Sequence, residues 1–196
     1  MARATTRRQL LGGAIAATVL PAASLTTATA ALAQMQSDAQ LIAGLLGVQQ
    51  LEAFAYRRLL ASTGLHRDAE ALLARLQTLE VQHAAALSAE LVRLGGATGS
   101  GPADLAAADR ELARHPVAGR LSGTRSQHDA IKLLIDLESV AEGACYAAIV
   151  KLADAQVARL VAEVMSSEAQ QWTLLDQLQH HDVVRAVPGP FVEGTK

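Results

Sequence analysis

Hydrophobic side chains recur at steps of three and four along residues 73–94, which predicts an amphipathic helix. Its predicted inner face consists of Leu73, Leu76, Glu80, His83, Leu87, Leu91 and Leu94. Two of these positions are polar, and Glu80 and His83 stand three residues apart in the middle of a face that should otherwise be dry. Two side chains at that spacing are close enough to contact the same bound ion. The interruption of this face by Glu80 and His83 is the first sign of a site.

The same spacing predicts four long helices in all. Each starts at a residue that is common at helix N-termini, and the four caps are Ser37, Asp68, Ser126 and Asp154. The first helix is expected to end near Gly64, the second at Gly95-Gly96 and the fourth near His180. Because very short connections join the first helix to the second and the third to the fourth, we expect two antiparallel hairpins.

Residues 97–125, between the two hairpins, are rich in Gly, Pro, Ser and Thr, and a short helix is expected at residues 104–113. A helix of about 27 residues is about 40 Å long, so a connection of this length can return the chain to the starting end of the bundle. The sequence therefore predicts an all-α four-helix bundle, made of two helical hairpins joined by a long crossover, with the third helix parallel to the second. The bundle is expected over residues 34–186, followed by an irregular tail at 187–196.

Residues 1–33 are excluded from this bundle. The stretch Thr6-Arg7-Arg8-Gln9-Leu10-Leu11 precedes a mildly apolar run, and Ala31-Leu32-Ala33 offers a small-residue cleavage site. The segment resembles a twin-arginine export signal, which implies the twin-arginine export machinery as a partner and a periplasmic, cell-envelope or extracellular location. An uncleaved membrane anchor over residues 10–33 is the alternative.

Removing the export segment leaves an acidic chain with one cysteine. The whole chain has 17 basic and 19 acidic residues, and residues 1–33 hold three of the basic and none of the acidic ones, so 14 basic residues remain against 19 acidic, a net charge of −5. That charge argues against nucleic acid as a partner. Cys145 alone cannot form an internal disulfide or a thiolate-rich metal site, and we interpret it as a small buried hydrophobe. We expect no stable membrane span in the mature chain.

Each of the four predicted helices carries a glutamate at a central inner position. The four are Glu52, Glu80, Glu142 and Glu168. In an antiparallel bundle they would share one buried layer and repel one another, because burying an unpaired carboxylate costs several kcal/mol and no Lys or Arg lies on these faces. Two divalent cations would neutralise four carboxylates, and oxygen ligands with a single imidazole suit iron or manganese. Hydrogen-bonded glutamates in a bundle without metal are the alternative.

The two hairpins also look like copies of each other. Glu52-Ala-Phe-Ala-Tyr56 matches Glu142-Gly-Ala-Cys-Tyr146, and Glu80-Val-Gln-His83 matches Glu168-Ala-Gln-Gln171. We therefore prefer Glu142 as the inward carboxylate of the third helix, because it aligns with Glu52. Glu138, one turn earlier, is the alternative or a further ligand.

Residues 38–182 resemble the ferritin-like superfamily of di-iron and di-manganese carboxylate proteins, in which two helices each provide a Glu and two others a Glu-x-x-His motif. The tail Pro188-Gly189-Pro190-Phe191 is similar to that of secreted bacterial ferritin-like proteins. The metal ligands that the resemblance implies are Glu52 and Glu142 as single glutamates, Glu80 and Glu168 as bridges, and His83 as the terminal nitrogen.

One departure from the family pattern affects the expected function. The second motif ends in Gln171 instead of histidine, so its metal would bind less tightly unless Glu138 supplies a further carboxylate. The resemblance implies up to two iron or manganese ions that react with oxygen or peroxide. A non-catalytic envelope or stress protein that binds one metal ion or none is the alternative, and iron storage in a protein shell ranks lowest. Whether the chain forms a homodimer stays open.

Overall fold

Helices make up most of the part of the chain that the structure describes. The computed structural model describes residues 22–62 and 64–180, and no strand occurs within them. The elements are α1 (Ala22–Ser62), α2 (Arg67–Arg93), α3 (Leu105–Leu112), a short 3₁₀ turn (Leu121–Gly123), α4 (Gln127–Ile149) and α5 (Ala155–His180). The predicted all-α bundle is confirmed, and so is the short helix within the crossover.

The predicted start of the first helix at Ser37 is wrong. The helix α1 begins at Ala22 and passes through Ser37 without a break. Residues 22–43 contain neither glycine nor proline and are rich in alanine, the strongest helix former, so a single capping residue does not end the helix there. The Arg7-Arg8 motif and the tail at 187–196 lie outside the described residues, and what the sequence predicts for them stays a prediction.

Local capping signals position the other helix ends. Three side-chain oxygens accept a backbone N–H from the first turn that follows, and these pairs are Asp104 with Ala107, Ser126 with Asp129, and Asp154 with Gln156. The predicted caps Ser126 and Asp154 are therefore confirmed.

Both ends of α2 follow from identifiable residues. Its N-cap is His66, which makes no side-chain capping bond, whereas the predicted cap Asp68 lies in the first turn, where a carboxylate faces the positive end of the helix dipole. The helix stops as predicted at Gly95, whose φ of 77° lies in the left-handed region that favours glycine. The backbone N–H of Gly96 then donates to the carbonyl of Leu91, which completes a common C-terminal motif.

Contacts between helix ends fix the direction of each helix. The backbone N–H of His66 donates to Gln127 Oε1 (2.7 Å), so the starts of α2 and α4 lie together and these helices are parallel. Arg93 Nη2 lies 2.5 Å from Asp154 Oδ2, so the end of α2 meets the start of α5 and these two helices are antiparallel. The predicted topology, with a crossover that returns the chain to the starting end, is confirmed.

The crossover between the hairpins is packed onto the bundle. Ala108 and Leu112 of α3 and Leu121 of the 3₁₀ turn are buried in the same apolar cluster as the inner faces of α1 and α4. Gln50 of α1 also donates from Nε2 to the carbonyl oxygen of Gly99 (2.9 Å). The long connection therefore contributes to the core.

The core has two apolar halves separated by polar residues. Along each long helix the buried apolar side chains fall into one cluster on one side of the middle and a second cluster on the other. Between the two clusters lie seven polar residues, which we call the carboxylate layer: Gln49, Glu52, Glu80, His83, Glu138, Glu168 and Gln171. Of the helices that the structure describes, none combines the length and the apolar character that crossing a membrane requires.

Asp38 ties α1 to the turn between α4 and α5, and this contact can be tested. Its buried carboxylate accepts the backbone N–H groups of Ala153 (3.2 Å) and Asp154 (2.9 Å). Asp38→Ala leaves these donors without a partner, so we expect the free energy of unfolding to fall by about 1 to 3 kcal/mol, measured by urea denaturation. Ser37→Ala, at the exposed neighbouring position, is the control and should change little. Equal urea midpoints for the two variants would contradict the proposed role of Asp38.

Candidate metal centre

Four fully buried carboxylates meet at mid-height in the bundle, one from each long helix: Glu52, Glu80, Glu138 and Glu168. Their oxygen atoms, with one ring nitrogen of His83, form two groups in which the possible ligand atoms lie within 4.8 Å of one another. The first group is Glu80, His83 and Glu168, and the second is Glu52, Glu138 and Glu168. Glu168 belongs to both groups, so the layer offers two adjacent positions with one shared carboxylate.

Glu138 takes the position that the sequence analysis gave to Glu142. Glu142 is half-buried on the next turn of α4 and belongs to neither group. The repeat that aligned Glu142 with Glu52 also aligned Tyr146 with Tyr56, yet Tyr146 is 51% exposed and Tyr56 is 0% exposed. The inward carboxylate of α4 therefore lies one turn earlier in the chain than the repeat predicts. The packing of α4 against its neighbours decides which carboxylate points inward.

Each carboxylate of the layer has at least one polar partner. The pairs are Gln49 Nε2 with Glu52 Oε2 (2.8 Å), Gln171 Nε2 with Glu80 Oε1 (2.7 Å), Tyr56 Oη with Glu138 Oε1, and His83 Nδ1 with Glu168 Oε1 (3.0 Å). Gln49 Nε2 also donates to Glu168 Oε1 (3.1 Å). These contacts satisfy one oxygen of every carboxylate.

The remaining oxygen atoms of the layer have no hydrogen-bond partner. Within the described part of the chain, every buried side-chain nitrogen or oxygen that lacks a partner belongs to the layer. One of these atoms is His83 Nδ1, whose 3.0 Å contact with Glu168 is an ion pair without hydrogen-bond geometry. The others are oxygens: Gln49 Oε1, Glu52 Oε1, Glu80 Oε2, Glu138 Oε2, Glu168 Oε2 and Gln171 Oε1. A buried acceptor without a donor costs about 1 to 3 kcal/mol. Acceptors of this kind need a hydrogen-bond donor or a cation, and a set of carboxylate and amide oxygens is one that divalent metal ions fit.

Protons and metal ions compete for this layer. Burial raises the pKa of Glu52 and Glu138 well above the usual value, and neighbouring carboxylates raise it further. Burial also raises the pKa of Glu80. Burial alone would lower the pKa of His83, but its contacts with Glu168 and Glu80 outweigh that effect and raise the pKa to about 9. The metal-free layer therefore holds extra protons, which metal ions must displace.

Cys145 lies beside the layer, and His83 lies at its edge. Burial and the charge of Glu168 raise the pKa of the Cys145 thiol to about 12, and Cys145 belongs to neither group of possible ligand atoms. The His83 side chain is 13% exposed, whereas the other members of the layer are at most 1% exposed. His83 therefore marks the edge at which the layer meets solvent.

Gln49 is the member of the layer that the sequence analysis missed. Gln49 is buried, whereas the apolar Val48 beside it is only half-buried. The available signal was its spacing, because Gln49 lies three residues before Glu52 and therefore on the same helical face. Glu52, Glu80, His83 and Glu168 lie in the layer where the sequence placed them.

Metal-free protein is expected to lose stability as the pH rises. A carboxyl group whose pKa is raised by folding holds its proton more tightly in the folded chain, so its contribution is complete below the unfolded pKa of about 4.3 and is lost as the pH climbs through the raised value. His83 acts in the same direction, with a contribution that is complete below about pH 6.5 and lost as the pH passes about 9. Chelator-treated protein should therefore unfold at lower urea concentrations as the pH goes from about 5 to about 9.

Two variants serve as comparisons in that measurement. Glu52→Gln removes one of the groups with a raised pKa and should make the pH dependence shallower. Glu163→Gln changes an exposed glutamate of α5 outside the layer and should leave it unaltered. A urea midpoint that rises with pH over this interval would contradict the assignment of extra protons to the layer.

Comparison with known proteins agrees with this geometry. The ferritin-like domain family matches residues 37–181. No curated protein gives a significant match. Among solved structures, the chain is similar to a conserved hypothetical protein, rv2844, from Mycobacterium tuberculosis, with 14% sequence identity and a TM-score of 0.61 over 73% of this chain and 97% of that one. At this identity the likeness shows the fold alone. Because the family match covers well over half of the sequence, the chain belongs to the ferritin-like domain family.

Proposed function

We propose that the protein is an exported ferritin-like protein whose carboxylate layer binds two divalent ions of iron or manganese and uses them to oxidise iron or reduce peroxide. The observation that carries the proposal is the set of buried oxygen atoms without partners, arranged as two groups that share Glu168. The Arg7-Arg8 motif supports export by the twin-arginine route, to the periplasm, the cell envelope or the exterior.

The charges of the layer suit a pair of ions. Glu80, His83 and Glu168 would hold one ion, Glu52 and Glu138 would hold the other, and Glu168 would bridge the two. Four carboxylates balance two divalent cations, which would remove the repulsion that adds to the effect of burial on the pKa values of these groups. Such a pair of ferrous ions would supply the two electrons that, with two protons, convert one peroxide into two water molecules.

The surrounding residues would control access and orientation. The apolar clusters on both sides keep bulk water away from the layer. His83 stands at the solvent edge, where ions and a small oxidant can enter. The Tyr56 hydroxyl donates to Glu138, and burial, with the charge of Glu138, raises the pKa of Tyr56, so this hydroxyl keeps its proton and holds Glu138 in place.

Reaction with peroxide tests the proposed activity. Protein loaded with ferrous iron under argon and mixed with peroxide should oxidise its iron and consume the peroxide, followed by absorbance and by residual peroxide. Glu138→Gln removes a carboxylate from the second group and should lower the rate at least about tenfold. Glu142→Gln, the same change one turn away and outside both groups, should retain the rate of the wild type. Wild-type protein that leaves both iron and peroxide unchanged would disprove the activity.

A specific observation favours a second candidate, a non-catalytic envelope or stress protein that binds one metal ion or none. Each carboxylate already has one polar partner, and the raised pKa of His83 makes it a cation beside Glu168 at neutral pH. A layer of this kind can persist without metal if its carboxyl groups retain protons.

Glu80→Gln separates the two candidates. If the layer is filled in the native protein, this variant should lose metal and its melting temperature should fall by about 5 °C or more, because bound metal stabilises the folded state. If the layer is empty, removing one charge relieves repulsion and the melting temperature should stay or rise. Calorimetry with elemental analysis of the same samples measures both quantities, and Glu163→Gln is the exposed control.

A further inference from the structure

Two buried glutamines border the carboxylate layer, one at each group. Gln49 and Gln171 are each 1% exposed. Gln49 bonds to Glu52 and Glu168, which belong to the second group, and Gln171 bonds to Glu80 of the first. Each glutamine donates through Nε2 and leaves its buried Oε1 without a partner. Each position in the layer therefore has one neutral amide oxygen within reach that nothing else in the described chain uses.

The distances in these contacts match those between ligands on one cation. Oxygen atoms that bind an octahedral ion at right angles, with bonds of about 2.1 Å, lie about 3 Å apart. The amide nitrogens lie 2.7, 2.8 and 3.1 Å from the carboxylate oxygens that they contact. The oxygen and nitrogen of an amide are nearly equal in size, so a half-turn about the last side-chain bond exchanges them. The amide oxygen can then stand beside the carboxylate oxygen that the amide nitrogen contacts in the absence of metal.

We propose that Gln49 and Gln171 are amide-oxygen ligands, one for each metal position, and that they bias the centre towards Mn²⁺. This inference rests on the proposed di-metal function. The second position then has ligands with oxygen atoms only, from Glu52, Glu138, Glu168 and Gln49. The first has one nitrogen, from His83, because Gln171 stands where a second Glu-x-x-His motif would supply another imidazole. Carboxylate and carbonyl oxygens suit Mn²⁺, whereas imidazole favours ions later in the divalent series, such as Zn²⁺.

The amide ligands leave the charge balance unaltered. Four carboxylates and two divalent ions remain neutral in sum, and an amide adds a ligand without adding charge. A fifth carboxylate at position 171 would lie beside Glu80 and leave the filled layer with a net negative charge in a dry environment. Glutamine therefore adds an oxygen ligand to the metal position without adding negative charge and without adding a second imidazole.

Competition between two metal ions tests the bias. Full-length protein, stripped with chelator and equilibrated with equal concentrations of Mn²⁺ and Zn²⁺, is desalted and its bound metals are counted by elemental mass spectrometry. Gln171→His should raise the bound ratio of zinc to manganese on the order of tenfold over that of the wild type. Gln170→His places the same imidazole at the exposed neighbouring position and should leave the ratio unchanged. Equal ratios in the two variants would overturn the inference.

A second set of variants separates a ligand from a hydrogen-bond donor. Gln171→Glu keeps an oxygen at the same reach, lacks the N–H that donates to Glu80 and adds a fifth negative charge to the layer. If position 171 supplies a ligand, that charge acts on the metal ion itself, so total bound metal stays or rises even though the excess charge lowers the stability of the filled protein. If the amide only orients Glu80, the new carboxylate repels Glu80 without binding the ion and bound metal falls, which would overturn the inference. Gln49→Leu should lower the affinity for one of the two ions. Gln50→Leu, which removes an amide that bonds outside the layer, should lower the affinity for neither. Wild-type protein that binds neither ion would instead contradict the proposed metal centre itself.

Discussion

The structure depends on the burial of four carboxylates at one level of a helical bundle. Each has at least one polar partner, and within the described residues every buried side-chain acceptor without a partner lies in the same layer. Such an excess of acceptors is unstable unless protons or cations occupy it. The raised pKa values of Glu52, Glu80 and Glu138 show the first solution, and two divalent ions would provide the second. The choice between them links stability, pH and metal binding.

The remainder of the fold holds this layer in place. Each long helix carries apolar residues on both sides of its glutamate, so the layer is fixed between two packed halves of the core. The crossover brings the second hairpin back to the starting end, which makes α4 parallel to α2 and lets all four glutamates meet at one level. Packing of these apolar halves stabilises the folded state and offsets the cost of the buried charges.

The sequence predicted the features that local signals determine. Caps such as Ser126 and Asp154 and the stop at Gly95 depend on neighbouring residues alone, and they are confirmed. The choice between Glu138 and Glu142 could not be made in this way, because both lie on one face of α4, four residues apart, and only packing against the other helices decides which one is buried.

Gln49 and Ser37 are two further positions at which a local sequence signal does not determine the structure. Val48 and Gln49 both lie near the inner edge of α1, and the exact rotation of the helix places the polar one inside. At Ser37 a recognised capping signal has no effect, because the alanine-rich residues before it continue the helix. Periodicity therefore predicted the existence of the buried layer, whereas its complete membership required the three-dimensional packing.

Anomalous X-ray diffraction tests the metal assignment of the layer most directly. Crystals of the full-length protein grown with Mn²⁺ would be measured on both sides of the manganese absorption edge, so that manganese is located by its own signal. We expect two peaks inside the layer, both beside Glu168, one near Glu80 and His83 and the other near Glu52 and Glu138. Crystals that contain manganese on the surface and none inside the layer would contradict the assignment, and would identify the four carboxylates as a protonated polar core.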